Sequence, residues 1–419
     1  MTQLEDNPAV QKRNAEISFI LFVLGGVVGL LNLRLVVPFG ESFEMYETAA
    51  NLANHGAYAN PFHALPTGPS AVCPPLYPFL LALLMKVLRL PALVLLAASL
   101  GNIFVNALTA AWLPRVSWLF HGDAGPGIAA SVLWLMAAQL MPSWDASYTV
   151  AALIFFCLFS AATYRKEKVF VFGVSAGLLA GALLLLNPVS LLVFAPWIGY
   201  LLVFQKTTLK HAAAYCCIVL GTAALVVFPW ALRNDRQLGG FVIRTGLGLN
   251  LYIKNNDCSR ISLYEDLHNG CSLTYEPTFN VNEARAVRDL GEINYDRQRM
   301  AVAKAWIRSH PEVFLRLTLV RAWAFWFPPL EEYPFRATVI SIATMLSIPG
   351  LVLMAYRRER VTVFILFVLL IFPPMYYIIS SNIRFRYPIL WLSLLPAGYF
   401  VLWLARLGKA KLQLKPIKS

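Results

Sequence analysis

The chain has 419 residues, 58% of them hydrophobic and only 14% charged, with a mean hydropathy of +0.61. A soluble protein of this length would need more polar surface, and the composition also excludes a disordered chain, a collagen-like chain and a disulfide scaffold. The formal charge is +13, from 35 Lys and Arg against 22 Asp and Glu. No RNA- or DNA-binding motif accompanies it, and in a membrane protein such an excess collects in cytoplasmic loops.

A helix needs about 20 apolar residues to cross roughly 30 Å of hydrocarbon. The first block, 17–37, follows a polar leader with Lys12 and Arg13 and reads as an uncleaved signal anchor, its N-terminus inside. Blocks follow at 91–113, 125–141, 147–164, 169–186, 189–204, 211–230, 337–356, 361–379 and 388–405, giving about ten spans. Two segments are ambiguous. One, 76–90, is short and carries Lys86 and Arg89; the other, 312–327, carries Arg316 and Arg321. Counting them, the sequence predicts an all-α polytopic membrane protein with about 10–12 transmembrane helices. The basic clusters at 165–168, 206–210, 357–360 and 406–418 all fall on the N-terminal side, which makes both termini cytoplasmic.

The polar stretches 38–75 and 231–336 then lie outside, and the second holds 12 of the 22 acidic residues. This divides the chain into a transmembrane module at 1–230, a large extracytoplasmic loop region at 231–336 and C-terminal helices with a basic tail at 337–419. Residues 282–310 read as one amphipathic helix, with Ala286, Leu290, Ile293, Ala303 and Ile307 near one face. Cys157, Cys216 and Cys217 fall in spans as packing residues. Cys258 and Cys271 lie in the outer loop, where a disulfide can form, with Cys73 as an alternative partner. No Cys/His spacing resembles a zinc site.

Candidate chemistry collects on the outer side. Just past the first span come Glu41, Glu44 and Glu47; on a short helix Glu44 and Glu47 share a face, and Glu41 sits at its start. The alternative is that all three are solvated or capping residues. A stiff proline-rich loop follows, from Pro61 to Pro78, either a turn or a fixed wall beside a site. Asp145 lies at the same level, as a second acid or as the N-cap of the next helix. Arg233, Arg244, Lys254, Arg384 and Arg386 run against the positive-inside trend and call for an anionic partner, either lipid headgroups or a bound phosphate.

Taken in order, several pieces resemble the bacterial multi-pass GT-C glycosyltransferases, a group that includes the aminoarabinose transferases of lipid A and relatives of the protein O-mannosyltransferases. The pieces are Glu41 to Glu44 with Ala49 and Ala50, Pro74-Pro75-Leu76-Tyr77-Pro78, Asn187-Pro188 after a glycine-rich span, and Pro229-Trp230 with Arg233-Asn234. Asn250-Leu251 with Asn255-Asn256, His310-Pro311 and Arg384 to Pro388 complete the set. The resemblance covers nearly the whole chain and implies a GT-C-like architecture in the bacterial cytoplasmic (inner) membrane, with outer loops carrying short helices. It also implies transfer of a sugar, with inversion, from a polyprenyl-phosphate donor to a hydroxyl of a lipid, glycan or protein acceptor. The family's catalytic acid falls on Glu41, with Glu44 as fallback and Asp145 matching a second position.

That chemistry is coherent from the residues alone. One base takes the acceptor proton, while a lipid phosphate leaves as an anion and needs no proton donor. Arg233, Arg384 and Arg386 are the candidate phosphate clamp, with Arg244 and Lys254 behind them and Asn234 and Asn256 beside them. Tyr77 and Trp230 are candidate stacking surfaces or, alternatively, interfacial belt aromatics. A divalent cation could assist, but no ligand cluster identifies one. A flippase for a lipid-linked sugar would need polar groups at mid-membrane, where only Asn102, Asn106 and Gln139 occur. A polysaccharide polymerase or ligase would share the topology without the early acidic cluster.

Overall fold

Backbone in hydrocarbon must satisfy its own N–H and C=O groups, so the long apolar blocks become helices. The structure, a computed structural model, describes residues 8–33, 44–138, 144–205, 207–261, 265, 274–331 and 333–413. Among them no strand forms; a lone antiparallel bridge joins Ala59 to Pro69. In chain order the helices are α1 (Pro8–Leu31), α2 (Glu44–His55), α3 (Leu76–Leu88), α4 (Pro91–His121), α5 (Gly125–Ala137), α6 (Ala146–Thr163), α7 (Val169–Leu186), α8 (Leu191–Phe204) and α9 (Leu209–Leu238). The rest are α10 (Leu247–Lys254), α11 (Val281–Leu290), α12 (Glu292–Ser309), α13 (Pro311–Trp326), α14 (Pro334–Tyr356), α15 (Val361–Ile371), α16 (Pro374–Tyr377) and α17 (Ile383–Gln413).

Seven of them, α1, α4, α6, α7, α9, α14 and α17, are long and apolar enough to cross a membrane. The chain is an all-α polytopic membrane protein, as its sequence predicts. Three expected spans, 125–141, 189–204 and 361–379, form apolar helices of 10–17 residues, and so does the ambiguous 76–90. Prolines mark two of their ends. Pro188 breaks the chain before α8, and Pro373 and Pro374 end α15 by withholding backbone N–H donors. The expected amphipathic helix over 282–310 is two helices. Gly291 adopts φ +77°, a left-handed value that a helix cannot continue through. Conversely, α9 does not stop at Trp230 but carries on to Leu238.

Small residues set how closely the spans approach. Gly173, Gly177 and Gly181 repeat every four residues on α7, and a Cβ on Gly177 would sit 2.5 Å from Thr222 Cβ on α9. A Cβ on Gly350 of α14 would run into the Pro396 carbonyl on α17. Deep in the bundle, Asn106 donates to Ser147 Oγ (3.1 Å) and accepts from Tyr387 Oη (2.7 Å), while Trp134 Nε1 donates to its carbonyl (3.2 Å). This residue therefore ties α4, α5, α6 and α17 together.

The bundle has two distinct ends. At one, α6 and α17 begin and α7 finishes. At the other lie the basic linkers 165–168 and 357–360, which follow α6 and α14.

Candidate active site at one end of the bundle

The walls come first. Arg233, on the last turns of α9, donates from Nη1 to Ser70 O (2.6 Å) and Asn234 Oδ1 (2.9 Å), and from Nη2 to Tyr58 O (2.5 Å). Its guanidinium also stacks over Trp230 and Tyr58, at 5.0 and 5.5 Å. Glu292 Oε1 accepts from Ala71 N (2.7 Å) and Thr245 Oγ1 (2.6 Å). Trp230 Nε1 donates to Ile243 O and Asn234 Nδ2 to Val242 O, both at 2.8 Å. The proline-rich loop is thus a fixed wall, pinned to α9 and to the 239–246 segment. Arg233, Asn234 and Trp230, expected at the substrate, hold this wall; the fork of Arg233 is turned onto backbone carbonyls.

Within the walls sits Asp145, 6% exposed. Its side chain does not cap α6. Instead Oδ2 accepts from Thr149 Oγ1 and from Asn187 Nδ2, both at 2.9 Å. Burial raises its pKa, opposed by these two hydrogen bonds and by the charge of Arg244. Arg244 donates from Nε to Val72 O (2.8 Å), which fixes its place beside the acid. Arg384, at the start of α17, stacks 4.2 Å over Trp144, the neighbour of Asp145.

A further acid, Glu276, belongs to the same neighbourhood. Its pKa is pushed up to about 7 by burial and by the charge of Glu44, against the lowering influence of Lys254 and Arg384. The buried thiol of Cys73 feels Glu44, Arg244, Glu292 and Asp145 together, and burial first, then these acids, raises its pKa well above the usual thiol range. Glu44, Asp145, Arg244, Lys254, Glu276 and Arg384 therefore converge from six separate segments.

The C-terminal end of α10 is built to present Lys254, which is 5% exposed. Arg321 of α13, fully buried, donates from Nη2 to Lys254 O (2.7 Å) and Arg260 O (2.9 Å). Asn256 closes the helix by donating to Tyr252 O and Ile253 O, both at 2.9 Å. Its role here is that of a cap.

Two expected contacts point elsewhere. Tyr77 is 1% exposed, its ring 5.2 Å from Tyr148, so it packs in a core and offers no open stacking face. Arg386 lies two residues beyond Arg384, and residues so spaced do not share a helix face. It turns into the bundle, donating from Nη1 to Trp326 O (2.9 Å) and Thr344 Oγ1 (2.7 Å). Glu41 and Cys271 lie outside the described residues. Cys258 is disulfide-bonded, and Cys73 is a free thiol. Among the described residues, no group of three His, Cys, Asp or Glu is placed to hold a metal ion.

Glu276, Glu292 and Arg321 were not singled out as site residues from the sequence. Arg321 carries a signal, as one of two arginines in a largely apolar segment. The two glutamates sat among many acids of a polar loop with nothing to mark them.

No family model and no curated protein matches the chain in sequence. Solved structures match it in fold. The archaeal oligosaccharyltransferase AglB from Archaeoglobus fulgidus, in complex with an inhibitory peptide and a dolichol-phosphate, superposes with a TM-score of 0.54 at 12% identity, over 96% of this chain and 52% of that one. The chain shares that protein's fold. The same oligosaccharyltransferase in complex with Zn and sulfate gives a TM-score of 0.52 at 14% identity, over 93% and 50%. Its apo form gives 0.54 at 13%, over 96% and 53%. The chain spans about half the length of the structures it matches. Oligosaccharyltransferases are glycosyltransferases of the GT-C type, so the likeness agrees with the resemblance read from the sequence at the level of fold; the aminoarabinose or O-mannosyl subtype has no counterpart among these structures.

Proposed function

We propose that this chain is a membrane glycosyltransferase that moves a sugar from a polyprenyl-phosphate donor to an acceptor hydroxyl, with inversion. The observation that carries this reading is the convergence of Glu44, Asp145 and Glu276 with Arg244, Lys254 and Arg384 at one end of a bundle with an oligosaccharyltransferase fold. The acceptor oxygen attacks the anomeric carbon and its proton passes to a carboxylate. The bond from that carbon to the donor phosphate oxygen breaks, and the phosphate leaves as an anion facing Arg384, Arg244 and Lys254.

Glu41 is the base by the resemblance. Glu44 is the fallback in that loop, and Glu276, which shares a charged neighbourhood with Glu44, Lys254 and Arg384, is a further candidate. The acceptor is a lipid, glycan or protein. The neighbour's complex with an inhibitory peptide supports a peptide among these.

The membrane is the bacterial inner membrane, with both termini cytoplasmic and the site outside. The basic linkers at the end away from the site support that orientation. A transporter is disfavoured because the mid-membrane Asn106 is engaged in helix–helix hydrogen bonds. The deciding experiment incubates the purified protein with a panel of polyprenyl-phosphate sugars and a membrane extract, and reads donor loss and acceptor mass gain. Donor crossing a vesicle bilayer with no mass gain would replace the enzyme by a transporter.

A further inference from the structure

Beyond α9 the chain turns back toward the membrane. Gly239 and Gly240 follow the helix, and Gly239 takes the left-handed φ of +76° that caps it. The backbone then doubles back along α9. Asn234 Nδ2 reaches Val242 O, Trp230 Nε1 reaches Ile243 O, and the Phe241 ring comes to 6.1 Å from that of Phe228. Phe228 lies ten positions before Leu238, the last residue of α9, so Phe241 has returned toward a level about 15 Å down the helix axis.

What that level means is set by α9. From Ala212 to Leu232 the helix carries no charged residue. Leu225 and Phe228, three apart and so on one face, are 72% and 50% exposed on a span that buries little of itself in the bundle, so this face meets lipid. The exposed residues of the last turns are Asp235, Arg236 and Gln237, which belong in water. The edge of the hydrocarbon therefore falls between Phe228 and Asp235. Phe241 stands with Phe228, on the apolar side of that edge, and is itself 60% exposed. Its neighbours suit such a place, since no residue from Leu238 to Ile243 is charged.

We propose that Phe241 is seated in the hydrocarbon of the leaflet on the candidate-site side, as a bilayer anchor for the 239–246 segment. Lipid acyl chains cover its exposed face, because that face continues the lipid-facing strip of α9, and a phenyl ring gains by leaving water for hydrocarbon. The sequence alone sets 231–336 wholly outside the membrane; this seat returns one ring of it to the bilayer. Three residues on, Arg244 is bonded through Nε to Val72 O, so the segment is tied to lipid at one end and to the proline-rich wall at the other. The anchor does not depend on the proposed transfer reaction.

The test reconstitutes the full chain in phosphatidylcholine vesicles with a nitroxide attached to Phe241→Cys. It compares relaxation of the label by molecular oxygen, which concentrates in hydrocarbon, with relaxation by a water-soluble nickel chelate present on both sides of the membrane. Signal from labelled native cysteines is measured on the unsubstituted chain and subtracted. Asp235→Cys, labelled in the same way, is the aqueous control. Oxygen is expected to dominate at 241 and the nickel chelate at 235. Dominance of nickel at 241 places the ring in water and overturns the anchor. Protection from both reagents at 241 marks a protein cover, such as a second copy of the chain, and overturns it equally. If Phe241→Cys fails to fold, Phe241→Trp replaces it. Its added fluorescence should be quenched by phosphatidylcholine brominated in the acyl chains and spared by iodide; any other pattern overturns the anchor.

Discussion

Asn187 donates from Nδ2 to Asp145 Oδ2 over 2.9 Å, so the end of α7 and the start of α6 meet on one buried carboxylate. Asn187 Oδ1 in turn accepts from Val189 N (3.2 Å), which locks the turn after α7 and aims the amide at the acid. An asparagine at a helix break here orients an acid two elements away.

Replacing Asn187 by Ala should destabilise the protein by about 1–3 kcal/mol, since a buried carboxylate loses a donor. The loss should grow with pH. The folded-state pKa of Asp145 is already raised by burial, so the folded form holds its proton more tightly than the unfolded form and stability falls as pH rises through that range. Removing a donor that lowers the pKa widens the range upward. Thermal unfolding of the variant at pH 4 and pH 8 measures it; an equal loss at both would detach Asn187 from the ionisation of Asp145.

The three acids separate by their pH profiles. Glu41→Gln should cut turnover by about 10²–10⁴-fold if it is the base, leaving donor binding intact. With Glu276 as base, activity should instead rise with pH through about 7, and Glu276→Gln should be the inactive variant. Glu44→Gln should then move the rising limb to lower pH, because the Glu44 charge helps hold the Glu276 proton. Turnover from pH 5 to 9 for the three variants decides the assignment.

Arg384 and Arg386 should fail in different ways. Arg384→Ala should weaken donor use about 10-fold or more, with an unchanged unfolding midpoint. Arg386→Ala should chiefly lower the midpoint, because it removes a buried side chain whose Nη1 bridges Trp326 O and Thr344 Oγ1 and leaves a void inside the bundle. Donor titrations alongside thermal unfolding separate the two; a KM effect confined to Arg386→Ala would reverse the assignment.

Cysteine at position 235, exposed just beyond Asn234, should react with an impermeant thiol reagent in intact cells. Cysteine at 167, in the basic linker after α6, should react only once the membrane is opened. The reverse pattern would place the candidate site in the cytoplasm, where the donor chemistry proposed here does not belong.

The long spans were legible because an unbroken apolar run has few other solutions, and charge asymmetry ordered their ends. The shorter helices were not, since a stretch such as 125–141 reads the same whether it crosses or ends at Ala137. At the candidate site, Glu44, Asp145 and Arg384 stand out in the sequence as charged residues in polar segments beside the long apolar runs, and Arg244 and Lys254 as cations of the large polar stretch. The roles of Arg233 and Arg386 do not, because composition gives a cation's position without its direction. Glu276 needed the fold itself, which carries a distant loop over the mouth of the bundle.

The bonds from Arg233 to Tyr58 and Ser70 make the proline-rich wall and the end of α9 a single rigid lever. Because α9 is packed against the glycine row of α7, that lever has its fulcrum inside the membrane. The wall cannot swing as a flap on its own; it tilts only when the two spans tilt. Thickening the bilayer around α7 and α9 would therefore change the width of the cleft, so turnover in vesicles should track lipid chain length even with donor and acceptor saturating.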